Sequence, residues 1–243
     1  MNKIIYSVDV EKDLHGSSYK GVKEGLVEFE KICDKNGILP VLFVTGECLK
    51  SNGGLFKRLA KKGWEISFHG FSHERFDDLT LSEKEREIKS SLALWKKVLG
   101  FNPRGFRAPQ HSIDDTTLDL LEKYGFEYDS SYTPLNLLQL FFFPGRAKLW
   151  IKSFLSPLNE YRIRKNLVER PCSSLILPFV SLIVRILPVS LMRAYVKMLK
   201  LIYTKPMFYA HSWDFIKLRE SRIDRAFTSQ AFIRKLDKIM ELE

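Results

Sequence analysis

The chain is poor in cysteine. Only Cys33, Cys48 and Cys172 occur among its 243 residues, and three scattered thiols exclude a disulfide framework and point to a reducing compartment. Long apolar runs are also missing. The run from Leu175 to Val184 is cut by Pro178 and closed by Arg185, well short of the about 20 apolar residues that a membrane-spanning helix needs. At the amino end, Asp9 arrives before a secretory apolar region can develop, so no signal peptide and a cytoplasmic protein are expected. Hydrophobic residues at 45% and charged ones at 28% exclude a disordered chain. The length suits one substantial domain with a well-buried core.

Acidic residues are scarce in one segment. Between Pro144 and Pro206 stand twelve Lys or Arg and two acids, Glu160 and Glu169; elsewhere the two signs balance at 27 each, so the whole excess of +10 lies here. Ser190 to Tyr203 reads as an amphipathic helix, with Arg193, Lys197 and Lys200 on one face and Leu191, Met192, Tyr195, Val196, Leu199 and Ile202 over much of the other. Such a helix suits an in-plane contact with an anionic membrane surface, or a cover for the domain with a solvated basic face. The segment at about 146–205 is therefore a candidate membrane contact at the inner, cytoplasmic face. Nucleic acid is not expected as a partner, because no aromatic-basic pattern of an RNA module is present.

What the chain does contain is an alternation of strands and helices. Ile4–Val10, Pro40–Gly46, Trp64–Phe68, Gly105–Pro109, Phe126–Ser130 and Met207–His211 read as strands. Helices are expected from about Ser18 to Gly37, Leu55 to Lys62, Ser82 (with Glu85 as capping box) to Gly100, Asp114 to Tyr124 and Thr228 to Met240. Alternation of this kind implies an α/β fold with parallel pairing, either a barrel or a doubly wound sheet, and in both the reactive side chains gather at the C-terminal strand ends. Asp9 and Glu11, His69 and His73, Arg107, Asp129 and His211 all fall at or just past such ends. The pair His69 and His73, four apart, can face one way across a single helical turn, and imidazole is a common ligand of zinc-like metals. Trp213 and Asp214 either line a pocket or begin a loop. His15 and His111 have no motif partner and read as solvated loop residues.

These residues resemble a known family, the polysaccharide deacetylases of the NodB-homology type, carbohydrate esterase family 4. Ser7-Val8-Asp9-Val10-Glu11 is similar to its first motif, His69-Gly70-Phe71-Ser72-His73 to its second, Arg107-Ala108-Pro109 to its third, Tyr128-Asp129-Ser130-Ser131 to its fourth and Phe208-Tyr209-Ala210-His211 to its fifth. The resemblance implies a distorted (β/α) barrel over residues 1–243 as a single domain, with a basic, apolar helical insertion at about 135–205 before the last strand. The family's second aspartate is Val10 here, as in an Asp-Val-Glu subset. Residues i and i+2 of a strand share a face, so the ligand role passes to Glu11, or to Asp9 if the strand end is irregular.

The implied activity is hydrolysis of an N-acyl group, acetyl or formyl, from an amino sugar that is lipid-linked or nucleotide-linked. A divalent metal, Zn2+ by preference, would be held by Glu11, His69 and His73. Asp9 would act as general base and His211 as general acid. Arg107 would keep Asp9 ionised, and Asp129 would pair with His211 or with Arg107. The alternatives are hydrolysis of a small non-sugar amide on the same fold, and a non-catalytic protein that binds nucleic acid or membrane through its basic surface.

Overall fold

The structure, a computed structural model, describes residues 2–13, 18–138, 147–217 and 227–242. His15 and part of the expected insertion, 139–146, lie outside these residues.

Strand β1 (Ile5–Val10) is buried on both faces, as the unbroken apolar run of a parallel strand requires. A π-helical turn, Gly21–Gly25, leads into α1 (Leu26–Asn36). That turn packs backbone to backbone: a Cβ on Gly25 would stand 2.2 Å from the Ser212 carbonyl oxygen. Gly37, at φ 65°, ends α1 in the left-handed region. Then follow β2 (Val41–Val44), α2 (Gly46–Lys61), β3 (Glu65–Phe68), α3 (Leu81–Leu99), β4 (Gly105–Phe106), α4 (Asp115–Lys123) and β5 (Tyr128–Asp129).

Two boundaries differ from expectation. Helix α2 begins nine residues before Leu55, capped by Thr45; the non-helical Asn52 (φ −131°) and the pair Gly53-Gly54 hide its first half from pattern reading. The capping box of α3 is Thr80 with Glu83, whose side chain takes the Thr80 N–H at 2.8 Å. Glu85 faces away, to Lys123 of α4 and Tyr124 just after it.

The insertion contains strands as well as helices. Helix α5 (Ala147–Phe154) precedes β6 (Tyr161–Arg162) and β7 (Val168–Glu169), and the small ladder of β8 (Ser174–Leu175) with β9 (Leu177–Pro178) precedes α6 (Ser181–Ile186) and α7 (Val189–Ile202). Strand β10 (Met207–His211) and α8 (Ser229–Met240) complete the chain.

The main sheet has the order β10-β1-β2-β3-β4-β5-β7-β6, parallel except at β6–β7. The sheet curls, so side chains from distant strands meet inside it. Arg107, just past β4, reaches Met207 Sδ of β10 at 3.0 Å, and Phe43 of β2 meets Tyr128 of β5 at 6.3 Å between rings. The fold is thus a distorted, incompletely closed β/α barrel. Helices cover the outside, where Phe68 lies fully buried among Phe76, Trp95, Phe106 and Phe126. Phe68→Ala is expected to lower stability by about 3–5 kcal/mol in urea unfolding, the cost of a large cavity in packed core.

Candidate active site

Strand register assembles the site. Asp9 pairs with His211 across β1–β10, and Val44 with Phe68 across β2–β3, which leaves His69 as the next residue at the same rim. The N–H of Arg107 then donates to the Phe68 carbonyl at 3.0 Å. Residues separated by up to 202 positions therefore meet at one rim, around a cavity of about 680 Å3.

Asp9 and Glu11 both face this cavity while Val10 is buried in the core, as their i, i+2 spacing on a strand demands. Arg107 Nη1 donates to Asp9 Oδ1 at 2.6 Å, and the pair is buried. Burial pushes the Asp9 carboxyl up, but the Arg107 guanidinium and then His69 outweigh it and hold the group well below the usual carboxylate range. Asp9 Oδ2 stays on the cavity side, 3.8 Å from His69 Nε2.

The two histidines do not sit on a helical turn as the spacing suggested. Gly70 and His73 take left-handed φ of 74° and 65°, and the intervening loop is clamped from two helices. The N–H groups of Gly46 and Glu47, at the start of α2, donate to the Gly70 and Phe71 carbonyls, each at 3.0 Å. From α3, the Glu87 carboxylate accepts the Phe71 N–H at 2.6 Å and the Ser72 hydroxyl at 3.3 Å. His69 Nδ1 lies 2.7 Å from the Arg107 carbonyl, which can only accept, so Nδ1 carries the proton and Nε2 offers its lone pair. Burial lowers the His69 pKa to about 4 and keeps the ring neutral.

Glu11, His69 and His73 present ligand atoms all within 4.8 Å of one another. Two imidazoles and one carboxylate, the first imidazole oriented by a backbone carbonyl, form a donor set that fits a divalent metal. Glu11 also bonds His73 Nε2 at 2.5 Å; burial pushes its carboxyl up, but His73 and then His211 hold it below its ordinary value.

His211 stacks on Trp213 with 4.3 Å between rings. Burial alone would lower its pKa, but Asp214, 3.6 Å from Nδ1, and Glu11, 3.7 Å from Nε2, push it up to about 9. Asp214 also accepts the His211 N–H at 2.8 Å and contacts Arg185. The His211 partner is therefore Asp214, not Asp129.

Asp129 also does not pair with Arg107. It accepts from the Ser131 hydroxyl at 2.7 Å and lies in register with Glu169 of β7. Burial raises both carboxyls, and their proximity raises Glu169 further, so this pair holds a proton instead of serving a cation. What Asp129 positions is Ser131, whose hydroxyl accepts the Ala108 N–H at 2.9 Å beside Arg107.

His111 is not a solvated loop residue. It is buried in the cavity wall at φ 56°, its Nδ1 2.8 Å from the Ser131 carbonyl and its ring 5.1 Å from Tyr209. Burial, then Arg107, lowers its pKa to about 4. Sequence reading misplaced His111 as a loop residue, left Asp214 open between pocket and loop, and did not single out Glu87 or Glu169 for the site. The available signals were the position just after Arg107-Ala108-Pro109 for the first and the cap-like i, i+3 spacing to His211 for the second; Glu87 and Glu169 depend on tertiary placement.

The polysaccharide deacetylase family profile matches residues 19–128, which include His69, His73 and Arg107. A peptidoglycan deacetylase of Helicobacter pylori is 30% identical over 155 residues, 61% of this chain and 53% of the relative. The resemblance is thus to the polysaccharide deacetylase family. A peptidoglycan deacetylase-like protein of Gibberella zeae is 33% identical over 109 residues, 44% of this chain and 32% of that one. The matches to these two curated relatives thus span about half of their length or less. Among solved structures, the PuuE allantoinase superposes with a TM-score of 0.68 and 11% identity, covering 99% of this chain and 83% of that one; this likeness concerns the fold.

The clamp from α3 carries a consequence for metal binding. Glu87→Gln is expected to weaken zinc affinity about tenfold, measured by competition with a chromophoric chelator, with the far-UV spectrum unchanged. Wild-type affinity in this variant would remove Glu87 from the site.

Proposed function

We propose that this chain, a member of the Asp-Val-Glu subset of its family, is a metal-dependent hydrolase. It would remove an acetyl or formyl group from the nitrogen of an amino sugar in glycan biosynthesis. The observation that carries the reading is the placement of two groups of opposite proton affinity beside the Glu11, His69 and His73 cluster. Asp9 is held ionised by Arg107, and His211 is held protonated by Asp214 and Glu11. Such divergent pKa values across one cavity are what acid and base roles require.

Glu11, His69 and His73 would hold the divalent metal, for which we favour Zn2+. When bound, such an ion polarises an amide oxygen and lowers the pKa of water. Asp9 Oδ2 then takes the proton from the attacking water, since Oδ1 is engaged by Arg107. As the C–N bond breaks, His211 Nε2 gives its proton to the departing nitrogen, which is too basic to leave as an anion. Products are a carboxylate and a free amine. Asp129 acts at one remove, through Ser131 and the backbone at Ala108.

We read residues 1–243 as one functional unit, because Asn136 and Trp150 from the insertion help to wall the cavity. A substrate attached to a lipid or a nucleotide, met at the inner face of an anionic membrane, agrees with the basic segment. No helix among the described residues is long and apolar enough to cross a membrane. The three buried free thiols support a cytoplasmic setting.

Acetate and formate release from a panel of lipid-linked, nucleotide-linked and oligomeric amino-sugar donors, with and without zinc, tests the reading. Asp9→Asn and His211→Ala are each expected to lower kcat by about 10²–10⁴ while retaining the metal. His69→Ala is expected to lose the metal, as measured by metal content after dialysis. Turnover of a small non-sugar amide in place of every sugar donor would shift the assignment to that substrate class.

A further inference from the structure

The insertion carries an exposed apolar strip that neither the core nor the cavity uses. At 100° per residue, α7 has three faces rather than the two expected. Met192, Val196 and Leu199 are buried against the protein. Arg193 and Lys197 form a second, exposed face. Leu191, Met198, Leu201 and Ile202 form a third and stand in solvent, Leu201 at 86% exposure. Leu191 and Ile202 thus lie outside the docked part of the single apolar face that the sequence pattern suggested.

The strip continues beyond the helix. Tyr195, on the same side as Leu191 and Ile202, donates its hydroxyl to the Leu177 carbonyl and accepts the Leu175 N–H at 3.1 Å. The β8–β9 hairpin is thereby fixed beside the strip, with Ile176 at its tip. Ile176 has φ 71° and is 64% exposed. A β-branched residue in left-handed backbone, holding its side chain in water, is unfavourable on both counts and marks a position shaped for an apolar partner. Ile176 forms a bridge with Asn136, a cavity residue; Trp150, also in the cavity wall, is followed by the exposed Ile151 and, one turn on, by Leu155 at 73% exposure. Exposed apolar side chains therefore stand directly beside two residues of the cavity wall, Asn136 and Trp150.

We propose that this strip seats in the interfacial layer of an anionic lipid bilayer, holding the cavity mouth at the lipid surface. The inference deepens the hydrolase reading by choosing a lipid-linked donor over a nucleotide-linked one, and rests on that reading only for what enters the cavity. Charge decides between a bilayer and a second copy. Helix α7 carries Arg193, Lys197 and Lys200 and no acid, so two copies of this face repel one another, whereas anionic headgroups attract Arg193 and Lys197 while the acyl region takes the apolar strip.

The full chain is mixed with vesicles of phosphatidylcholine and phosphatidylglycerol, 3:1 by design, or of phosphatidylcholine alone, and sedimented at several salt concentrations. The wild-type protein is expected on the anionic vesicles. The combined variant Leu191→Ser, Met198→Ser and Ile202→Ser is expected to bind at least about tenfold more weakly, and Ile176→Ser several-fold more weakly. A Met198→Trp reporter in the otherwise native chain should shift its emission to the blue and be quenched by brominated acyl chains. Equal vesicle binding by wild type and the apolar variant, or an unquenched Met198→Trp, overturns the proposal. So does a wild-type dimer that the apolar variant turns into a monomer without any vesicle binding. Hydrolysis of soluble tetra-N-acetylchitotetraose by a chain that ignores vesicles sinks this inference alone. Vesicle binding without turnover of any donor sinks the hydrolase reading alone.

Discussion

The buried contact between Arg107 and Asp9 is the constraint on which the site depends. Arg107 has no exposed surface, and its guanidinium is used on every side. It bonds Asp9, Ser7, Ser130 and the Ser130 carbonyl, and lies 4.0 Å from the centre of the Phe43 ring. A charge in such a place is tolerable only with a partner; removing one member of a buried pair generally costs about 3–5 kcal/mol because the other is left uncompensated. The pair therefore ties β4 to β1 across the curl of the sheet. It also makes the charge state of Asp9 part of the fold and not a property of the cavity water.

Around that pair the site divides into fixed and framed parts. His69 is oriented by the Arg107 carbonyl, so the same residue that holds Asp9 through its side chain sets the tautomer of the first imidazole through its backbone. His73 is framed differently, by a loop whose amides and carbonyls are taken up by α2 and α3. His211 takes its charge from Asp214 and Glu11. A single curled sheet thus supplies three environments within one cavity: an ionised carboxylate at Asp9, a neutral imidazole at His69 and a protonated imidazole at His211.

Much of this was legible in the sequence, because strand periodicity predicts which side chains share a rim. Asp9 with Glu11 followed from the two-residue repeat, and the strand ends at His69, Arg107 and His211 followed from alternation of elements. What was not legible depends on partners chosen in three dimensions. Asp129 carries the same motif whether it meets Arg107 or Glu169, and only the pairing of β5 with β7, through a two-residue strand inside a basic segment, decides it. His111 looked like a loop residue because nothing local reveals that φ 56° turns it into the cavity wall. The helix at 189–202 gave a correct period but an incorrect number of faces, since apolar character alone does not distinguish side chains that dock on the protein from those left outside.

Strand β10 has a temporal meaning. The cluster of Glu11, His69 and His73 and the Arg107 clamp all come from the first half of the chain, whereas His211 enters by adding β10 alongside β1, with Asp9 opposite His211. A chain still emerging from the ribosome can bring Glu11, His69 and His73 together long before His211 exists. On the proposed hydrolase reading, amide cleavage would wait until β10 has closed onto β1.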